Sequence, residues 1–292
     1  MTSKHRTGNL LCRPIIIIGP HRSGTTWLIK GMSESQDLAC FVEPRSIWTY
    51  GNWFLPDDSL DAKHARPRIA SHIRSRFERL LKKRGKLRIC DKTPSNALRI
   101  PFIREVFPDA QFLLILRDPR AVFRSTEEIK SRAFGKDIGV LFERVRDSSV
   151  SELPAFLSRV PGQLRKMIGK TPRIWGARPP GWKEWIGNES PSRIVARQWV
   201  AIVEKALSDL ELLPEQDKVI INYENLAIRP EETSRAFLGA LNVRDSEDVV
   251  AFFKNSAHPD RIAQWEESLS PQTLEEIRPV LEPMMHRLGY EW

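Results

Sequence analysis

Arg22, Glu43, Lys92 and Arg117 are the residues of this 292-residue chain whose types and positions could carry chemistry. Each follows or closes a short apolar stretch: Arg22 after Ile15 to Ile18, Glu43 after Leu38 to Val42, Asp91-Lys92 after Leu87 to Cys90, and Arg117-Asp118-Pro119-Arg120 after Gln111 to Leu116. If those stretches are neighbouring strands, two or three cations and a carboxylate meet at one mouth. Such a set suits transfer of an anionic group to a hydroxyl. The cations stabilise charge growing on the transferred and leaving groups, the carboxylate takes the acceptor's proton, and neither role needs a metal. Singly, Lys92 reads as a structural lysine and Glu43 as a loop salt bridge with Arg45; at successive strand ends, together, they read as a site.

Between Ile18 and the first predicted helix runs Gly19-Pro20-His21-Arg22-Ser23-Gly24-Thr25-Thr26. The spacing of Gly19 and Gly24 is that of a P-loop, in which small residues let backbone N–H groups point at an anion on a helix N-terminus. A nucleotide triphosphatase would follow Gly24 with a lysine and then a hydroxyl for magnesium. Here Thr25 and Thr26 follow, and the cation is Arg22. The loop predicts phosphate binding without metal-assisted triphosphate chemistry.

The elements that must position these residues alternate. Strands are predicted at Ile15 to Ile18, Leu38 to Val42, Leu87 to Cys90, Gln111 to Leu116 and Lys218 to Asn222. Helices are predicted from Thr25 to about Ser33, Ile69 to about Lys83, Ile100 to Val106, Ala121 onward, Ser192 to about Leu210, Pro230 to Leu241 and Pro271 to Leu288. That order predicts an α/β fold, a P-loop-type central parallel sheet flanked by helices, with ligands beyond the carboxyl ends of the strands. No Pro/Gly/Ser-rich linker divides the chain, so one domain is read over residues 1–292. Within it, residues 132–191, approximately, are irregular and rich in Arg, Pro and Trp, and read as a helical cap insertion over the strand ends.

Composition narrows the class. Cys12, Cys40 and Cys90 are odd in number and lack metal-ligand spacing, which fits a reducing, cytoplasmic setting and implies no structural zinc. The apolar runs fall far short of the ~20 residues of a membrane helix, and the N-terminus lacks the apolar core of a signal peptide. A net charge of +9 suits a polyanionic ligand, nucleic acid or anionic membrane without choosing among them.

Three motifs in order resemble the sulfotransferases that use 3′-phosphoadenylyl sulfate (PAPS), in the pattern of the bacterial and tyrosylprotein-type branch. The loop Gly19 to Thr26 resembles the family's 5′-phosphosulfate site, with arginine where cytosolic members have lysine. Arg117-Asp118-Pro119-Arg120-Ala121-Val122-Phe123-Arg124-Ser125 resembles its 3′-phosphate site, and Asp91-Lys92-Thr93-Pro94 the segment that places a lysine near the sulfonate. The segment Asn222-Tyr223-Glu224-Asn225-Leu226 is similar to one whose tyrosine approaches the cofactor. The resemblance implies that Arg22, Ser23, Gly24, Thr25, Thr26, Arg117, Ser125 and Tyr223 bind PAPS, and that adenosine 3′,5′-bisphosphate leaves. It implies in-line transfer with Glu43 as general base, His21 as fallback base, and Arg22 and Lys92 stabilising the sulfonate and bridging oxygen, with no metal. Two positions depart from the pattern. Ala263 and Gln264 stand before Trp265 where relatives have a serine and a lysine, and Ile129 stands in register with a second cation, Lys130 being one position off.

The resemblance implies that the acceptor is a hydroxyl. The Trp-rich stretch Trp175 to Trp185 and the cluster Trp48, Tyr50, Trp53 and Phe54 suggest a carbohydrate or glycolipid by stacking, or simply a packed lid; a peptide tyrosine or small phenol is the alternative. The basic stretch Arg66 to Arg88 reads as an amphipathic helix with a solvated cationic face, in weak peripheral contact with membrane at most, and no nucleic-acid motif accompanies it. Two other functions fit the same residues: a P-loop kinase or nucleotidase, and a catalytically silent nucleotide-binding protein. The missing Walker lysine counts against the first, and the joint presence of Arg22, Glu43 and Lys92 against the second.

Overall fold

In the computed structural model, which describes residues 11–132, 174–244 and 246–292, five parallel strands form one sheet in the order β2-β3-β1-β4-β5. They are β1 Ile15–Ile18, β2 Leu38–Val42, β3 Arg88–Lys92, β4 Gln111–Leu116 and β5 Lys218–Asn222. β1 and β4, at the centre, are buried along their whole length, as strands covered on both faces must be.

The period-2 alternation sorts these side chains into two cores. Ile16, Ile18, Phe112 and Leu114 face the helices Pro67–Arg84, Ile100–Val106, Pro191–Glu211 and Pro271–Arg287. Ile15, Ile17, Leu113 and Ile115 face Thr25–Met32, Pro230–Ala240 and Glu247–Ser256. The result is the three-layer α/β sandwich the alternation predicts. Short helices Arg45–Trp48, Tyr223–Ile228 and Gln264–Ser268, absent from the sequence reading, sit beside the strand ends.

β3 departs from expectation in a way that matters for the site. It begins at Arg88, leaving Leu87 70% exposed, and runs on to Lys92. Asp91 and Lys92 therefore lie within the strand, not after it, with Ile16 opposite Asp91 and Ile17 opposite Lys92 on β1. A hydropathy reading ends the strand at Cys90 because it cannot anticipate two buried charges in succession. On the other flank Phe41 faces Asp91 and Val42 faces Lys92, so Glu43 leaves the sheet immediately beside Lys92. The Glu43 N–H extends the ladder by one bond, donating to the Lys92 carbonyl at 2.8 Å.

Cys40 and Cys90 are register partners across β2 and β3; all three cysteines are free thiols. No helix among the described residues is long and apolar enough to cross a membrane. Of the expected cap, residues 133–173 lie outside the described residues; after them, Ala177 meets the loop following β1 at His21, and Arg178 meets Asp58.

Candidate active site at the strand ends

The loop after β1 folds as a phosphate cradle for identifiable reasons. The Ser23 N–H and hydroxyl both donate to the Pro20 carbonyl, at 3.3 and 2.6 Å, closing a turn. Arg22, within that turn, takes a left-handed backbone (φ +67°) and Gly24 follows at φ +100°. A Cβ on Gly24 would stand 2.7 Å from the Tyr223 ring, so glycine is required by conformation and by space. Gly24 caps the helix Thr25–Met32 with no side-chain acceptor, which leaves the first-turn N–H groups for an anion.

The second half of the site is Arg117 and Ser125. Arg117 lies 4.1 Å over the Tyr223 ring and donates to the carbonyls of Arg22 and Arg261, both at 3.3 Å. Its Nε is buried without a partner, and burial holds its pKa below the usual arginine value. Arg22 Nε donates to Ser125 Oγ at 2.9 Å, which joins two residues that the motifs assign to opposite ends of the ligand. Tyr223, by packing on both Gly24 and Arg117, braces the two halves.

Arg120 does not join the converging cations. Asp118 accepts from its backbone N–H and guanidinium at 2.7 to 3.2 Å, and its cation lies 4.0 Å over Trp265. Glu224, which no motif singled out, accepts from the Asp118 N–H at 2.9 Å and from the Tyr290 hydroxyl at 3.0 Å. Gln264, at a position that departs from the family pattern, accepts from Arg124 at 2.8 Å.

The third part is ionic. Lys92 Nζ donates to Glu43 Oε1 at 3.1 Å and Arg45 Nη2 lies 2.9 Å from Glu43 Oε2, so Glu43 makes the salt bridge with Arg45 and contacts Lys92 as well. The Glu43 side chain is 15% exposed and that of Lys92 4%. Glu43 takes a left-handed backbone, φ +55°, which turns its carboxylate back over β3. Beneath them Asp91 is fully buried and accepts from Trp48 Nε1 at 3.0 Å and Asn96 Nδ2 at 2.8 Å. Burial pushes its carboxyl up to about 7, against the opposing pull of Trp48, Thr93 and Lys92. Asp91 thus ties β3 to the short helix that carries Arg45.

His21 stands next to this group but is engaged elsewhere. Its Nε2 accepts from the Ala177 N–H, its ring lies 5.0 Å from Trp175, and burial together with Arg45 lowers its pKa to about 4. The fallback base is therefore a neutral imidazole with that lone pair occupied. The same stretch of chain is clamped further on: Asp58 accepts from the backbone N–H and guanidinium of Arg178, at 2.8 to 3.1 Å, and is held below the usual carboxylate range by Arg178 and Arg99.

The aromatic cluster divides by role. Trp48 is fully buried on Asp91 and presents no ring face to an acceptor, and Tyr50, half-buried, has one face stacked on His72 at 3.5 Å. Trp175, 40% exposed, borders a cavity of about 260 Å³ lined also by Thr126, Ile186, Ile194 and Gln198.

A sequence model described as "Sulfotransferase family" matches residues 14–247. A Caenorhabditis briggsae protein named "Putative protein-tyrosine sulfotransferase" is 22% identical over 283 residues, covering 95% of this chain and 89% of that one. A Caenorhabditis elegans protein of the same name is 24% identical over 205 residues, 70% and 66% of the two chains. Among solved structures, "Sulfotransferase Domain from the Curacin Biosynthetic Pathway" superposes with a TM-score of 0.58 at 15% identity, over 96% of this chain and 99% of the other. "Sulfotransferase Domain from the Synechococcus PCC 7002 Olefin Synthase" gives 0.56 at 11% over the whole of both. These structures share the fold, and the match from the first strand to beyond the fifth takes in every part of the site just described but the C-terminal contacts: the chain belongs to the sulfotransferase family.

Proposed function

We propose that this sulfotransferase moves the sulfonate of PAPS to an acceptor hydroxyl with Glu43 as general base and without a metal. The observation that carries the reading is the Lys92–Glu43 pair at the mouth of the phosphate loop, 3.1 Å between Nζ and Oε1. The loop N–H groups with Ser23, Gly24, Thr25 and Thr26 would hold the 5′-phosphate, and Arg117 and Ser125 the 3′-phosphate, for which the buried, unpartnered Arg117 Nε is a donor in waiting. Tyr223 supports both.

Glu43 takes the proton of the acceptor hydroxyl as its oxygen bonds to sulfur, the bond from sulfur to the bridging phosphate oxygen breaks, and adenosine 3′,5′-bisphosphate leaves. Lys92 and Arg22 stabilise the charge that collects on the sulfonate and the bridging oxygen. Because Lys92 is already bound to Glu43, a donor sulfonate that draws Lys92 away also releases the base, so base activation follows donor binding.

The acceptor is a hydroxyl compound. The two worm relatives are named for protein tyrosine, which favours a tyrosyl or phenolic hydroxyl over a carbohydrate, as does the burial of Trp48 away from any sugar.

Calorimetric titration with adenosine 3′,5′-bisphosphate, AMP and ATP, with and without magnesium, tests the donor. Tight, magnesium-independent binding that needs the 3′-phosphate is expected; preference for magnesium-ATP would return the protein to phosphoryl transfer.

A further inference from the structure

The charge of this protein is not spread over it. Residues 63–88 hold eleven Lys and Arg and one acid, Glu78, whereas the other 266 residues carry thirty-five cations against thirty-six acids. The whole net positive charge therefore belongs to one helix, Pro67–Arg84, and its flanks.

That helix is anchored through its apolar face. Ile69, Ile73, Phe77, Leu80 and Leu81 are buried in the core, and two of the arginines serve structure: Arg76 is buried, and Arg74 donates to the Val106 carbonyl at 3.0 Å. Arg84, although exposed, donates to the Cys40 carbonyl and lies 4.3 Å over Phe41, closing the edge of β2. The outer stripe is what remains. Arg68, Arg79, Lys82 and Lys83 are exposed and recur at spacings of eleven, three and one, which at 100° per residue puts them on one face. Eighteen helical residues make that face about 27 Å long.

Exposed apolar side chains stand at both ends of the stripe. Leu87, two residues past the glycine that ends the helix, is 70% exposed. Phe54, 81% exposed, belongs to the loop held against the first turn by the Arg66 bond to the Gly51 carbonyl at 3.2 Å. A straight cationic stripe with an apolar side chain at each end matches an anionic lipid surface, where headgroup charge meets the lysines and arginines and the two side chains enter the boundary region. A single-stranded nucleic acid would want a row of aromatic faces among the cations, and here the exposed aromatic, Phe54, stands only at the end of the stripe.

We propose that the outer face of the helix Pro67–Arg84, with Phe54 and Leu87, is a docking surface for anionic membrane. It is independent of the donor and acceptor assignments.

The test is sedimentation of the full chain with vesicles of phosphatidylcholine alone or with 30% phosphatidylserine, at about 0.1 and 0.5 M salt. Binding is expected only to the anionic vesicles and is weakened by salt. The combined variant Arg68→Gln, Arg79→Gln, Lys83→Gln should lose roughly a hundredfold in vesicle affinity at an unchanged melting temperature, at about fivefold per charge. Phe54→Ser with Leu87→Ser should weaken the salt-resistant part of binding. Failure to bind anionic vesicles, equal binding to both compositions, or binding of a DNA duplex or heparin in place of vesicles would overturn the proposal.

Discussion

Lys92 and Glu43 meet at 3.1 Å with both side chains almost withdrawn from water, one closing a strand and the other leaving its neighbour. Glu43→Gln keeps an acceptor for Lys92 and removes the proposed base. Turnover should fall by roughly a hundredfold with donor affinity little changed. Glu43→Ala instead strands a buried ammonium and should lose about 3–5 kcal/mol of stability as well. Kinetics and thermal unfolding of the two variants side by side check this; an unaltered rate in Glu43→Gln would move the base elsewhere.

Arg117→Ala and Ser125→Ala act on the other end of the donor. On the proposed placement each removes a contact to the 3′-phosphate, about 1.5–3 kcal/mol for a charge-assisted hydrogen bond at Arg117. Binding of adenosine 3′,5′-bisphosphate should weaken about ten- to a hundredfold at Arg117 while AMP binding changes little. Equal losses for both ligands would contradict the placement.

Asp91 and His21 oppose each other in pH. The Asp91 carboxyl is raised to about 7, so its contribution to stability is full below the ordinary carboxylate range and is lost as pH rises toward 7. The His21 pKa is lowered to about 4, so its contribution is full above the ordinary imidazole range and is lost as pH falls toward 4. The two slopes largely cancel in the parent protein between about pH 4 and 6.5. Asp91→Asn should therefore grow more stable as pH rises through that window, and His21→Gln less stable. Denaturant titrations at four pH values read both signs, and parallel profiles for all three proteins would refute the pair of assignments.

His21 should also be silent in solution at neutral pH. Its imidazole NMR signals are expected to hold neutral positions from pH 5.5 to 8, whereas a midpoint near 6.5 would mean that the contact with Ala177 is not kept.

What the sequence makes legible here is what short-range physics writes into it. Four isoleucines running into a Gly-bounded turn admit few structures but a buried strand and a tight turn, and Glu43 can be set at a strand end because an apolar run precedes it. Arg117 and Arg120 look alike in the sequence, three positions apart, yet Asp118 captures the second and leaves the first over Tyr223. Nothing local says which arginine is taken. The contact of Arg22 with Ser125 depends on a left-handed residue that is not glycine, and no propensity anticipates it. Trp48 reads as a stacking surface until Asp91 is seen beneath it; its role depends on burial, which comes from the whole sheet. The basic stripe was legible as a solvated face, but not that Arg74, Arg76 and Arg84 would turn inward or onto the sheet edge.

The left-handed backbone at Arg22 sets the terms on which this enzyme could be improved. A non-glycine residue in that region costs about 1–2 kcal/mol. Arg22→Gly would relieve that cost, offset by glycine's greater loss of chain entropy and by the lost bond to Ser125, while deleting a cation from the proposed site. Selection for heat resistance alone gives no reason to keep that cation. A thermostability library of this chain therefore has to be screened for sulfonate transfer at every round.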